Sequence, residues 1–152
     1  MSKHEQKRLF KERIQVQKIV INNCYGGFNL SEKGLTRYLE LKGKNAFFYK
    51  YNYDSRKYMK VPRGKEDFLS ICFTEDYGDI VSDSEVNEDD IFSVRKINRA
   101  DPDLISVIEE LGEEANGHYA SLKIIEIPSD VKWTIEEYDG LEWVAEEHRT
   151  WH

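Results

Sequence analysis

The charge of this chain is divided along its length. Residues 1–65 carry 16 Lys or Arg against 5 Asp or Glu, a balance of +11, and residues 66–152 carry 6 against 24, a balance of −18. The two sum to the net −7 of the full 152 residues. A compact fold must either interleave the halves, so that each neutralises the other, or present them as separate basic and acidic surfaces. The first arrangement is a solvated surface with internal charge complementarity. The second offers a basic face to nucleic acid or phosphate, or lets copies of the chain meet head to tail as a homo-oligomer.

The length suits one domain with one core. Seven Phe, nine Tyr and three Trp argue against a disordered chain, whose composition is poor in aromatics. No run approaches the roughly 20 apolar residues of a membrane span. The opening MSKHEQKRLFKERIQ lacks the apolar stretch of a secretory signal, so a cytoplasmic protein without a membrane partner is expected. Two cysteines, Cys24 and Cys72, are too few for a disulfide framework.

Residues 1–17 read as a basic arm ahead of a single domain over 18–152. Lys18–Asn22 is a β-branched run that predicts a buried strand, and Asn23–Phe28 is a loop around the adjacent Gly26 and Gly27. Ser31 is placed to cap a helix carrying Leu35, Tyr38, Leu39 and Leu41 up to Gly43. The period then changes. Phe47, Tyr49, Tyr51 and Tyr53 fall on one strand face, Ala46, Phe48, Lys50 and Asn52 on the other, and a turn at Asp54-Ser55 leads into Arg56–Val61. Phe68–Phe73 is a further strand. Residues 75–90 hold eight acidic side chains and no basic one, as a surface loop or edge. Asp101-Pro102 opens a helix with the stripe Leu104, Ile105, Val107, Ile108 and Leu111, ending at Asn116-Gly117. Leu122–Ile127 is a strand stopped by Pro128, Val131–Tyr138 is another, and Asp139-Gly140 turns the chain into a short closing helix over Leu141–His148. The pattern predicts an α+β fold, a mixed or antiparallel sheet packed by two or three helices.

The two blocks IVINNCYGGFNLSEKG and DPDLISVIEELGEEANG, the latter followed by LKIIEIP, WTIEEYDG and EHRTW, resemble a family of small uncharacterised bacteriophage and prophage proteins. Together they cover about half of the chain; residues 44–94 and the N-terminal arm match no pattern of that family. The resemblance implies a setting, a phage protein made in the bacterial cytoplasm, and small phage accessory proteins often counter host defences by occluding an enzyme or sequestering its nucleotide signal. It implies no reaction and assigns no catalytic residue.

Several constellations bear on chemistry. Gly26-Gly27, between a strand and a helix, offers backbone N–H groups for a phosphate, with Ser31, Lys33 and Arg37 as helpers; it is neither a dinucleotide fingerprint nor a Walker loop. The segment 42–65 interleaves aromatic and basic residues, so Tyr49, Tyr51 and Arg56 can stack a base and pair with phosphate in a nucleotide or nucleic acid, or else the aromatic face is core. Cys24 with His118 or His148 as base would make a small hydrolase, but no cysteine-enzyme signature surrounds it. His4, His118, His148 and His152 lack zinc spacing, the Glu109–Glu114 carboxylates read as an exposed helix face, and 75–90 lacks the calcium-loop pattern, so no metal and no cofactor are expected. Tyr77, Asp79, Asp83, Glu85 and Asp90 would give a protein partner an acidic face. The balance favours a non-enzymatic binding protein that engages a nucleotide signal or a host protein. A hydrolase using Cys24 and a nucleic-acid module over 42–65 are the alternatives.

Overall fold

The β-branched run after Lys18 forms β1 (Val16–Asn22) in the computed structural model of the protein, which describes residues 2–6, 15–67 and 69–147. β1 pairs antiparallel with β7 (Leu122–Pro128), Ile19 opposite Ile125. Ser31 caps α1 (Glu32–Leu41), its Oγ accepting from the Gly34 N–H. Asp101 caps α2 (Pro102–Leu111) in the same way, with Pro102 at the first helical position, where its missing N–H costs nothing. The apolar stripes of both helices close on β1: Val20, Leu35, Leu39, Leu104, Val107 and Ile108 belong to one buried cluster. α2 ends earlier than the sequence predicts, because Gly112 takes φ 58° and a 3-10 turn over Gly112–Ala115 carries the chain on to Asn116.

A second sheet runs in the order β5–β3–β2–β4–β6, all antiparallel, from β2 (Phe47–Asn52), β3 (Lys57–Lys60), β4 (Ile71–Phe73), β5 (Ile80–Ser82) and β6 (Ile91–Phe92). The period of two sorts its residues. Phe48 and Cys72 join the helix-packed cluster. On the opposite face Phe73 packs its ring 4.4 Å from Tyr49, 5.1 Å from Tyr58 and 5.7 Å from Tyr77. The acidic segment 75–90 adds β5 to the edge of this sheet and continues as two 3-10 turns, bonded to that face through tyrosine hydroxyls. Tyr49 donates to the Gly78 carbonyl and Tyr51 to Asp83, while within the segment Tyr77 donates to Asp90. Burial of the rings and pairing of the carboxylates are thus one arrangement.

The chain closes with a strand where the sequence predicts a helix. Leu141–Glu146 is β9, paired antiparallel with β8 (Trp133–Tyr138), Trp143 opposite Glu136. The turn decides this: Asp139 at φ 49° and Gly140 at φ 87° give the two consecutive positive φ angles of a hairpin turn whose twist returns the chain beside itself. The helical preference of Glu142, Ala145 and Glu146 is overridden. β9 lies against β1. The architecture is therefore α+β, with every described strand pair antiparallel. Phe10, Ile14, Phe68, His148, Trp151 and His152 lie outside the described residues, and no described helix is long and apolar enough to cross a membrane.

The basic and acidic halves meet within the chain. Lys18–Glu109, Lys33–Glu114, Arg37–Glu110, Lys42–Asp101, Lys42–Asp103, Lys50–Asp67 and Lys60–Asp76 all join a cation before residue 66 to a carboxylate after it. The Asp101 junction is the most enclosed of these. Tyr38 donates to its carboxylate at 2.7 Å, and Asp103 N–H and Lys42 approach it as well. Burial, and then the bond to Asp101, pushes the Tyr38 hydroxyl up to about 12. Burial acts to raise the Asp101 carboxyl also, but the bonds from Tyr38, Lys42 and Asp103 outweigh it and hold the group below its ordinary value.

A carboxyl whose folded pKa is depressed stabilises the fold above its unfolded pKa of about 4, and that contribution is lost as pH falls through the folded value. Asp101→Asn keeps a capping side chain and removes the charge. It is expected to lower stability at pH 7 by about 1–3 kcal/mol. Its urea midpoint should also fall less between pH 5 and pH 2 than that of the unmodified chain. Equal acid sensitivity of the two proteins would show that Asp101 does not carry the dependence.

Candidate functional site

β1 ends on a buried polar residue. Asn22 is 0% exposed, and its side chain is fully employed. Nδ2 donates to the carbonyls of Cys24 and Gly140, and Oδ1 accepts from the Ser121 N–H. The Asn22 backbone N–H donates to Glu142, which also receives both guanidinium nitrogens of Arg99 at 2.7 and 2.8 Å. Arg99 in turn donates to the Val20 carbonyl, while Val20 N–H donates to the Arg99 carbonyl, and its guanidinium lies 3.4 Å from the centre of the Phe28 ring. The outer edge of β1 is thereby satisfied by side chains and by a loop.

Three turns converge on this end: residues 23–29, 117–121 and the β8–β9 turn. Their backbones touch. A Cβ on Gly26 would fall 1.6 Å from the Tyr119 carbonyl oxygen, and one on Gly140 would fall 2.6 Å from the Gly27 nitrogen and 2.8 Å from the Tyr25 carbonyl oxygen. Gly27 itself sits at φ 99°. The paired glycines are thus required by close approach and by a left-handed backbone, whatever ligand the loop holds.

Beside the junction is a cleft of about 670 Å³, lined by Gly26, Gly27, Phe28, Asn29, Val94, Arg95, Arg99, His118, Tyr119, Glu137 and Glu142. Arg95 is exposed on the 3-10 turn Val94–Lys96 and makes no ion pair among the described residues. Tyr25 and Gly26 are the centre of a turn that brings the Gly27 N–H toward the Cys24 carbonyl, and among the same residues no acceptor is bonded to the N–H of Cys24, Tyr25, Gly26, Phe28 or Asn29. Tyr25, Tyr119 and Tyr138, one from each turn or its flank, are 64%, 74% and 70% exposed. The site is a polar cleft with the side chains of Arg95, Arg99, Glu137 and Glu142 and the exposed Tyr119 in its lining.

The structure separates the residues that the sequence groups together. Gly26 and Gly27 line the cleft; Tyr49, Tyr51 and Arg56 do not and belong to the five-stranded sheet. Tyr49 has no exposed surface, being stacked on Phe73 and bonded to Gly78. Tyr51 is bonded to Asp83, and Arg56 sits in the β2–β3 turn at φ 55°. The α1 N-terminus is closed as well: Ser31 Oγ donates to the Glu114 carbonyl, Ser31 N–H to that of Ala115, and Lys33 pairs with Glu114. Arg37 is engaged by Glu110 and Glu40.

The Cys24 thiol points at the Tyr119 carbonyl, 3.0 Å away, and Cys72 is buried, its thiol pushed up to about 12 by desolvation. Among the described residues no group of three or more His, Cys, Asp or Glu side chains is arranged to hold a metal ion. Tyr77, Asp83 and Asp90 of the acidic segment are partly spent on internal hydroxyl–carboxylate bonds. Sequence reasoning misses Arg95, Arg99, Tyr119, Glu137 and Glu142, which no local spacing links. Asn22, a polar residue ending the apolar run of β1, is the one signal of a buried junction. No family model, no curated protein and no solved structure matches this chain.

The contact of Gly26 with the Tyr119 backbone cannot be relieved by turning a side chain. Gly26→Ala should therefore destabilise the fold by about 2–3 kcal/mol, in the range of an overpacked core. Urea denaturation measures this, and a midpoint within error of the unmodified chain would rule out packing as the reason for the glycine.

Proposed function

We propose that this chain is a non-enzymatic binding protein whose loop-end cleft takes a phosphate-bearing ligand of nucleotide size, sequestering it from a host system of the kind that the resemblance to phage proteins implies. The observation that carries the reading is that Arg95 and Arg99 line one cleft with the Gly26–Asn29 loop, in which the N–H groups of Gly26, Phe28 and Asn29 have no acceptor among the described residues. Backbone amides without acceptors favour an anion, and a neighbouring guanidinium adds a forked, permanently charged donor. Arg99 is held in place by Glu142 and Phe28, whereas Arg95, also in the lining, makes no ion pair among the described residues. The cleft volume falls within the roughly 300–1,000 Å³ of small-molecule sites.

Binding rather than turnover is favoured by the use of Cys24, whose thiol is turned to a carbonyl. A second reading, a host protein as partner, draws on the exposed Tyr25, Tyr119 and Tyr138, since tyrosines on loops are common interface anchors. The two readings part on one titration. Isothermal calorimetry with a panel of nucleotides at low salt is expected to give one-to-one binding that weakens as salt rises. Arg95→Glu should reduce the affinity at least tenfold, about 1.4 kcal/mol, with an unchanged urea midpoint. An absence of binding, or an indifferent Arg95→Glu, would overturn the nucleotide reading.

A further inference from the structure

The β8–β9 hairpin has two faces with different neighbours. On one, Ile135, Val144 and Glu142 are partly buried, and Glu142 accepts from the Asn22 N–H and from Arg99. The register sets the other. Glu136 stands opposite Trp143 and Tyr138 opposite Leu141, and the period of two puts Glu136 and Tyr138 on one side of β8. Glu136, Trp143 and Tyr138 therefore share the outer face as opposite or diagonal neighbours, their Cβ atoms about 5–8 Å apart. Trp143 is 42% exposed and Tyr138 70%. The Trp143 indole N–H donates to Glu136 Oε2 at 3.1 Å, which fixes the ring beside the carboxylate and leaves Oε1 to accept from another donor.

Between Trp133 and Glu146 the chain carries five carboxylates, Glu136, Glu137, Asp139, Glu142 and Glu146, and no Lys or Arg. Of these, only Glu142 is in an ion pair among the described residues. Among the same residues no cation lies over the Trp143 or Tyr138 ring. Two exposed aromatic rings and an unneutralised carboxylate at ladder spacing both attract a cation, and they suit different parts of a guanidinium. A ring face takes its plane, and a carboxylate takes its forked N–H groups. An apolar partner would desolvate Glu136 without pairing it. A second copy docked face to face would set the hairpin's carboxylates against their own kind. We infer that this outer face docks an arginine from a basic segment of a partner protein, the guanidinium stacked on Trp143, flanked by Tyr138 and paired with Glu136. Glu137 and Glu142, which line the cleft, belong to the opposite face, so the inference does not depend on what the cleft holds.

NMR of the full chain tests this through the indole N–H of Trp143, assigned with Trp143→Phe. The probes are octapeptides of alternating Arg and Ser, Lys and Ser, and Glu and Ser. The Arg peptide is expected to shift the Trp143 indole signal saturably and to bind at least threefold more tightly than the Lys peptide. The Glu peptide should leave the signal in place. By calorimetry, Trp143→Ala should weaken the Arg peptide at least tenfold, and Glu136→Gln, which keeps an acceptor for the indole N–H, at least threefold. Urea midpoints separate lost binding from lost folding, and Glu136→Gln decides should Trp143→Ala fail to fold. An unmoved Trp143 signal, or full affinity in Glu136→Gln, overturns the inference. Equal affinity for the Arg and Lys peptides overturns the assignment to arginine. Self-association of the chain that Trp143→Ala abolishes would give the face to a second copy and overturn the partner.

Discussion

The structure turns on the buried amide of Asn22. It ends β1 at a point where three chain reversals meet, and each reversal leaves a backbone group facing inward. An amide side chain has two donors and an acceptor in fixed geometry, and here the donors reach the carbonyls of Cys24 and Gly140 while the oxygen receives the Ser121 N–H. A leucine would leave those groups desolvated and unpaired, each at a cost of about 1–3 kcal/mol. An aspartate would supply the acceptor but lack the donors. Among the described residues no buried side-chain polar atom is left without a partner, so the network is complete where it is deepest. Arg99 and Glu142 extend it outward, joining the loop before α2 to the β8–β9 hairpin across the edge of β1.

The divided charge of the sequence has a different role. Most of its ion pairs are exposed, and pairs of that kind contribute little to stability. What they govern is which surfaces meet. The acidic segment 75–90 folds over a sheet whose rings bear hydroxyl groups, and there Tyr51 finds a carboxylate and Tyr49 a backbone carbonyl while Lys60 pairs with Asp76. An apolar covering segment would leave those hydroxyls unpaired. Rings with polar tips under a carboxylate-rich strap bury apolar area and satisfy their donors together.

Much of the fold is legible in the sequence because the signals are local. β1, α1, β2, α2, β7 and β8 follow from β-branched runs, caps and periods that span a few residues. Leu141–Glu146 misleads for a local reason too: its Glu and Ala content favours a helix, and only the two left-handed residues at Asp139 and Gly140 turn it into a strand. The aromatic face of Tyr49 and Tyr51 reads equally as platform or core, since the sequence does not say what lies across it; the strap does. The cleft is the least legible feature. Arg95, Tyr119 and Glu137 come from a 3-10 turn, a loop and the end of β8, and that end of the fold is held by contacts between residues far apart in sequence, such as Gly26 with Tyr119, for which no spacing rule exists.

The Gly26-Gly27 pair shows why packing and binding need not compete as explanations. Close approach of the Tyr119 backbone forbids a side chain at Gly26, and a left-handed φ disfavours one at Gly27. The same packing shapes the loop backbone: a turn brings the Gly27 N–H toward the Cys24 carbonyl, and among the described residues no acceptor is bonded to the N–H of Gly26, Phe28 or Asn29. Backbone donors in that state must be met by water or by a ligand richer in acceptors than water. The constraint that lets three turns share one end of the fold therefore leaves backbone donors of the Gly26–Asn29 loop beside the cleft.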